Sequence, residues 1–487
     1  MNAPEVIGTD MLPRDPDGAP MRALFLADEA ATVASLAAFA TTSKEARDAV
    51  GRQAREWVEG VRVRAQGQAG VESLLQQYDL STQEGVLLMC VAEALLRIPD
   101  ATTADALIRD KLARGDWERY LGASDSLLVN ASTWGLMLTG KLTRIDAENV
   151  RDPKVWYERL IARAGEPVVR LALRQAMKVM AEQFVMGRTI GEALARSRTD
   201  YNVRYRYSFD MLGESAITSH DAQRYHAAYR NAIAAIGATA DRSAAVFAQP
   251  SISVKLSALH PRYEYAQRDR VFRELLPSIV ELASEARRLG IGLTIDAEEA
   301  ERLELSLELF ARTRRDASLA QWDGLGLAVQ AYQKRGRAVV EWVAGLARET
   351  RTRVPVRLVK GAYWDTEVKR AQVQGLSGYP VFTRKAHTDI SYLASARAML
   401  EAGDALYPMF ATHNAHTIAW VAACAATRGV TEFEFQRLHG MGDALYAQVT
   451  AAPHHRRAGG AVSDVRDAQR SHRFGDRRIR VRAIVAR

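Results

Sequence analysis

Arg357-Leu-Val-Lys-Gly-Ala-Tyr-Trp-Asp365 is the stretch on which the fold turns. Residues 354–359 are β-branched and apolar, as in a buried strand, and the strand runs into a cation, a glycine and two aromatic rings. An arginine inside an apolar strand is expensive to bury unless an anionic or electron-rich group meets it. Gly361 suits close approach of a ligand to the backbone. Taken alone, the stretch fits a salt-bridged strand end with core aromatics equally well.

Further segments of the same form shift the balance: ISVKLS at 252–257, LTIDAE at 293–298, LGLAVQ at 325–330, MFATHN at 409–414 and EFEFQ at 432–436. Each is a short apolar strand with a polar group at or near its C-terminal end: Lys255, Asp296, Gln330, Arg357, Thr412 with His413, and Gln436. Helical patterns lie between them, at 269–289, 302–313, 338–350 and 384–402. Strand–helix alternation predicts a parallel sheet covered by helices. In a (β/α)8 barrel the strand C-termini converge on one mouth, which would gather these polar groups around one pocket. An open doubly wound sheet is the structural rival, but no G-x-G-x-x-G follows residues 252–257. The α/β barrel is the expected fold.

The runs SVKLSALHPRY (253–263), IDAEEAERLE (295–304), VQAYQKR (329–335), RLVKGAYWD (357–365), GYPVFTRK (378–385), FATHNAHT (410–417) and FEFQRLHGMG (433–442) resemble the proline dehydrogenase domain of the bifunctional proline utilization A flavoproteins. Upstream text such as GVLLMCVAEALLRIPD (85–100), TWGLMLTGKL (133–142) and RYSFDMLGE (206–214) extends the resemblance over roughly residues 24–452. It implies a (βα)8 barrel holding FAD, preceded by helical arm and linker domains. The implied reaction oxidises L-proline to Δ1-pyrroline-5-carboxylate and passes the electrons to a membrane quinone. It implies roles too: Arg357 as the cation beside the flavin and Asp296 as a neighbouring acid, with Lys255 on the substrate carboxylate. Leu358 and Tyr363 would form the apolar wall and lid against the proline ring. Gln330 would hydrogen-bond the flavin, with Ala297, Lys360, Gly361, Ala362, Thr412 and His413 along its ring, ribityl or phosphate portions and Trp364 near the adenine. A fixed cation at such a place stabilises negative charge developing on the flavin ring.

Each residue also has a plainer reading. Lys255 and Asp296 could be an ordinary buried ion pair, and a lone strand-end lysine could equally serve a Schiff-base lyase. His413 and His416 stand at i, i+3, but without a helix-borne H-E-x-x-H no metal site is expected. Glu298, Glu299 and Glu301 read as a solvated loop and helix start.

The N-terminal half reads as helical, with capping boxes at Thr42/Glu45 and Ser81/Glu84. The apolar run at 85–98, interrupted by Glu93, is too short for a membrane span. No secretory signal opens the chain, and Cys90 and Cys424 offer no disulfide framework, so a cytoplasmic location is expected, with peripheral attachment to the inner membrane through the quinone. The expected organisation is a disordered segment at 1–23, helical arm and linker at 24–245, barrel at 246–452 and a basic, disordered tail at 453–487.

The formal charge of +8 does not predict a nucleic-acid partner. Residues 453–487 hold ten arginines and three aspartates, and the remainder carries 56 basic and 55 acidic residues. The tail departs from the family pattern after Thr450, as a reading-frame shift would produce. Only six strands are visible between residues 251 and 439, so the barrel is expected to lack its last two. The family's adjacent arginines for the proline carboxylate have no counterpart: Arg456-Arg457 and Arg477-Arg478 lack its tyrosine–leucine–valine helical text. Impaired turnover, or an inert flavin-binding remnant, is the expectation that follows.

Overall fold

Eight parallel strands close on themselves in sequence order. They are β1 (Arg206–Met211), β2 (Ser251–Val254), β3 (Gly292–Ile295), β4 (Leu325–Gln330), β5 (Val354–Val359), β6 (Leu406–Ala411), β7 (Glu434–Leu438) and β8 (Ile479–Val485). The computed structural model describes residues 19–65, 184–199, 202–211, 215–451 and 479–485. The chain divides into two compact units, 1–63 with 194–483, which contains the barrel, and 64–193 with 484–487. The second falls almost wholly outside the described residues, as do the 85–100 and 133–142 runs, Ser81 with Glu84, and Cys90.

The strand expectations hold at β4 and β5, whose bounds match those read from the sequence, and within a few residues elsewhere. The strand count needs correction. The six strands read were β2 to β7; β1 lies in the region expected to be helical arm and linker, and β8 lies in the tail expected to be disordered. The barrel therefore does not lack two strands. Its first strand and the helix Ser219–Gly237 also move the barrel's start upstream of residue 246. A short helix, Ala19–Ala23, begins within the segment expected to be disordered.

Local chemistry explains the outer helices. Ser219–Gly237 opens on a reciprocal capping box between Thr218 and Asp221. Arg268–Leu289 stops at Gly290, whose φ of 76° continues the chain in the left-handed conformation. Ile233, Ile236, Leu275 and Ile279 on these helices, and Val340 and Val343 on helix Gly336–Thr350, are buried, each contributing about 1.5–3 kcal/mol. Helix Glu29–Ala40, capped by Asp28 (Ala31 N–H to Oδ1, 2.8 Å), packs Leu36 and Ala40 against Phe382 and Ala394 beside helix Lys385–Glu401. Helix Lys44–Ala65 is capped by Ser43, whose Oγ accepts from Ala46 N–H at 3.2 Å, and not by Thr42. No helix among the described residues is long and apolar enough to cross a membrane.

Candidate active site

The barrel interior is polar, and Arg357 is its hub. Its register partners on the flanking strands are Ala328 and Met409, and the small Ala328 leaves room for a guanidinium. The side chain is 1% exposed, yet four groups satisfy it. Nε donates to Gln436 Oε1 at 2.7 Å, Nη1 to Ser253 Oγ and Asp296 Oδ1 at 2.8 Å each, and Nη2 to Ser208 Oγ at 2.9 Å. These partners come from β1, β2, β7 and the residue after β3, so the arginine reaches across the barrel. Here the buried cation has the anionic and polar company that makes its burial tolerable.

One layer nearer the mouth, Lys255 follows β2 directly. Its Nζ lies 3.6 Å from Asp210 Oδ1 and 3.8 Å from Asp296 Oδ2, with all three residues less than a tenth exposed. Asp296 thus joins Arg357 through one oxygen and Lys255 through the other.

Leu358, next to Arg357 on β5, is fully buried. Gln330, at the end of β4, donates from Nε2 to the Glu298 carbonyl (2.7 Å) and accepts at Oε1 from Ala362 N–H (3.3 Å), tying three mouth loops together. Ala297, Lys360, Gly361, Ala362 and Tyr363 lie in the loops just after β3 and β5, and Trp364 opens the helix Trp364–Val373 that follows. Lys360 Nζ pairs with Asp389, and Trp364 is 42% exposed with its Nε1–H on the Phe382 carbonyl at 2.9 Å. Gly361 has a φ of 142°, and a Cβ there would run into the Tyr332 ring, so ring packing accounts for this glycine rather than ligand approach.

Thr412 and His413 follow β6. Thr412 Oγ1 accepts from Asn414 N–H at 3.1 Å, and its carbonyl takes the Tyr446 hydroxyl at 2.8 Å. His413 Nε2 accepts from Leu438 N–H at 3.1 Å, which places the ring proton on Nδ1. Burial, with Arg437 nearby, lowers its pKa to about 4 and keeps it neutral at pH 7. Glu298, read as solvated, is buried: it accepts from Ser257 N–H at 3.0 Å, and burial raises its pKa.

The sequence reading missed Ser208, Asp210 and Glu434. All three sit on strands at alternate inward positions, and the S-x-D spacing in Arg-Tyr-Ser-Phe-Asp-Met (206–211) was the available signal.

A barrel with its polar row at the strand C-termini belongs to the class of barrel enzymes, whose sites occupy that face. The proline dehydrogenase family matches residues 193–467, and the chain belongs to this family. It is 52% identical to the bifunctional protein PutA of Klebsiella aerogenes over 387 residues, 79% of this chain and 29% of that protein. Against the bifunctional protein PutA of Rhizobium meliloti it is 52% identical over 412 residues, 84% of this chain and 33% of the relative. The chain thus spans about a third of the length of these relatives. The crystal structure of Bradyrhizobium japonicum proline utilization A, mutant D779Y, superposes with a TM-score of 0.67 at 43% identity, covering 95% of this chain and 44% of that one. A family described as the DNA-binding domain of proline dehydrogenase matches residues 70–184. That match runs against the expectation of no nucleic-acid partner, and nearly all of the matched region lies outside the described residues.

Proposed function

We propose that this chain oxidises L-proline to Δ1-pyrroline-5-carboxylate with FAD as cofactor and passes the electrons to a quinone, approaching the membrane surface to do so. The observation that supports this reading is the buried row Arg357–Asp296–Lys255–Asp210 at the active face of the barrel. The mouth residues suit FAD in kind. Gln330 offers an amide, Lys360 an ammonium for a pyrophosphate, Thr412 and His413 polar groups for a ribityl chain, and Trp364 an exposed indole for an adenine. When bound, FAD supplies the acceptor for the hydride leaving the carbon beside the proline nitrogen. Arg357 contributes a fixed positive charge from within the barrel, where the low dielectric magnifies it. Asp296 holds that guanidinium and the Lys255 ammonium in one network. Lys255 binds the proline carboxylate, and Leu358 and Tyr363 supply the apolar wall and lid against the proline ring.

The test uses the full chain. Purified protein should carry flavin absorbance and reduce a dye in the presence of proline. Lys255→Ala should keep its flavin and weaken binding of a five-membered-ring carboxylic acid by about 10- to 150-fold, the equivalent of one charge-assisted hydrogen bond. An unchanged dissociation constant would return Lys255 to a structural ion pair. A colourless chain that traps a carbonyl compound on Lys255 under borohydride would favour the Schiff-base lyase.

A further inference from the structure

The Arg357 network continues below the mouth, away from any substrate. Gln436, which accepts the Arg357 Nε–H, donates from its own Nε2 to Glu434 Oε1 at 2.7 Å. Glu434 has no solvent exposure. Its Oε1 also accepts from Arg480 Nε at 2.8 Å, and Tyr407 Oη lies 3.3 Å from its Oε2. Arg480, on β8 and 3% exposed, is anchored by backbone: its guanidinium donates to the carbonyls of Gln249 (2.8 Å), Phe247 (2.9 Å) and Tyr207 (3.2 Å).

This arrangement is directional. A primary amide has an acceptor end and a donor end, and rotation by half a turn exchanges them. Glu434 pairs with Arg480 at 2.8 Å and accepts there, so it fixes the amide with NH2 toward itself and the carbonyl toward Arg357. In the flipped state, NH2 would face the Arg357 Nε–H, donor against donor, in a site without bulk water to relieve it. We propose that Glu434 and Arg480 are positioning residues: through Gln436 they set the orientation of Arg357 from the opposite end of the barrel. The proposal deepens the reading of Arg357 as the active-site cation and rests on it. It also gives the arginine-rich strand that closes the barrel a part in the site.

The variants are Glu434→Gln, Gln436→Glu and the double change, all in the full chain. Glu434→Gln keeps the shape but lets both amides flip. We expect flavin reduction by proline to slow tenfold or more, with the dissociation constant of a proline analogue changed less than twofold. Gln436 and Arg480 meet the same oxygen of Glu434, so in the double variant the amide at 434 keeps its carbonyl on Arg480 and no longer donates to 436, while the carboxylate at 436 has no donor end and accepts from Arg357 without needing to be oriented. It should recover most of the rate, which a loss of packing would not allow. A second readout needs no flavin. The Arg357 Nε–H, identified by its disappearance in Arg357→Lys, should give an exchange-protected signal in nitrogen-15 spectra. It should exchange at least tenfold faster in Glu434→Gln and return toward the parent rate in the double variant. Parent-like protection in Glu434→Gln, or a double variant no better than the single, overturns the proposal. If the parent chain holds no flavin, the functional reading fails, and the exchange rates alone decide the positioning role.

Discussion

Lys255→Met removes the ammonium that stands between Asp210 and Asp296 while keeping an unbranched side chain of similar length. Both carboxylates are buried, at 3.6 and 3.8 Å from Nζ. Taking one partner out of a buried ion pair costs about 3–5 kcal/mol, because the remaining charge is stranded away from water. Asp296 keeps its 2.8 Å bond to Arg357, so the low end, about 3 kcal/mol, is expected. The comparison variant is Arg315→Met, whose pair with Glu349 is half exposed on both sides (50% and 54%) and should cost about 0–1 kcal/mol. Asp210→Asn placed on Lys255→Met should restore about half of the loss by removing the stranded charge. A chain of two units need not unfold in one step, so amide exchange within β1–β3 measures the effect better than a global melt. If Lys255→Met costs no more than Arg315→Met, or if Asp210→Asn deepens the loss, Lys255 does not neutralise this pair of acids.

Two other perturbations follow from local geometry. Gly361→Ala would force a side chain into the Tyr332 ring at a φ of 142°; a cost of about 1–3 kcal/mol should lower the melting temperature of the barrel by several degrees, and an unshifted melt would mean that the loop relaxes freely. His413 is held near pKa 4 against about 6.5 when unfolded, so between those values the unfolded chain binds more protons. Its contribution to stability is full above pH 6.5 and drains as pH falls toward 4, by about 2–3 kcal/mol. His439, lowered to about 3 by burial and then by Arg196 and Arg437, acts with the same sign. His413→Gln should therefore reduce, without abolishing, the slope of urea-melt stability against pH in that window, and an unchanged slope would remove His413 from the account.

Strands with mostly apolar text were the most legible. Leu325–Gln330 and Val354–Val359 carry only one polar residue each, so a buried parallel strand was the natural reading. Arg206–Met211 and Ile479–Val485 carry Ser208, Asp210 and Arg480 into the barrel and read as helical text and as a disordered tail. Their partners, Arg357 and Glu434, lie far along the chain, and no local pattern announces such a pairing. Of the site, the residue types were visible in the sequence. Their order through the barrel, from Arg480 at one end to Lys255 at the other, depended on register.

Glu434 and Arg480 stand 46 residues apart, and the arginine comes second. At about 5–20 residues per second, a ribosome needs a few seconds to travel from one codon to the other, longer than most secondary structure takes to form. Throughout that interval, β1 to β7 can assemble around a carboxylate that lacks its Arg480 partner and around two unsealed sheet edges. Committing Glu434 to a dry interior then would cost several kcal/mol, so the nascent barrel is held open until its last strand emerges. Ring closure and charge neutralisation then occur in the same event, which makes the final strand the latch of co-translational folding.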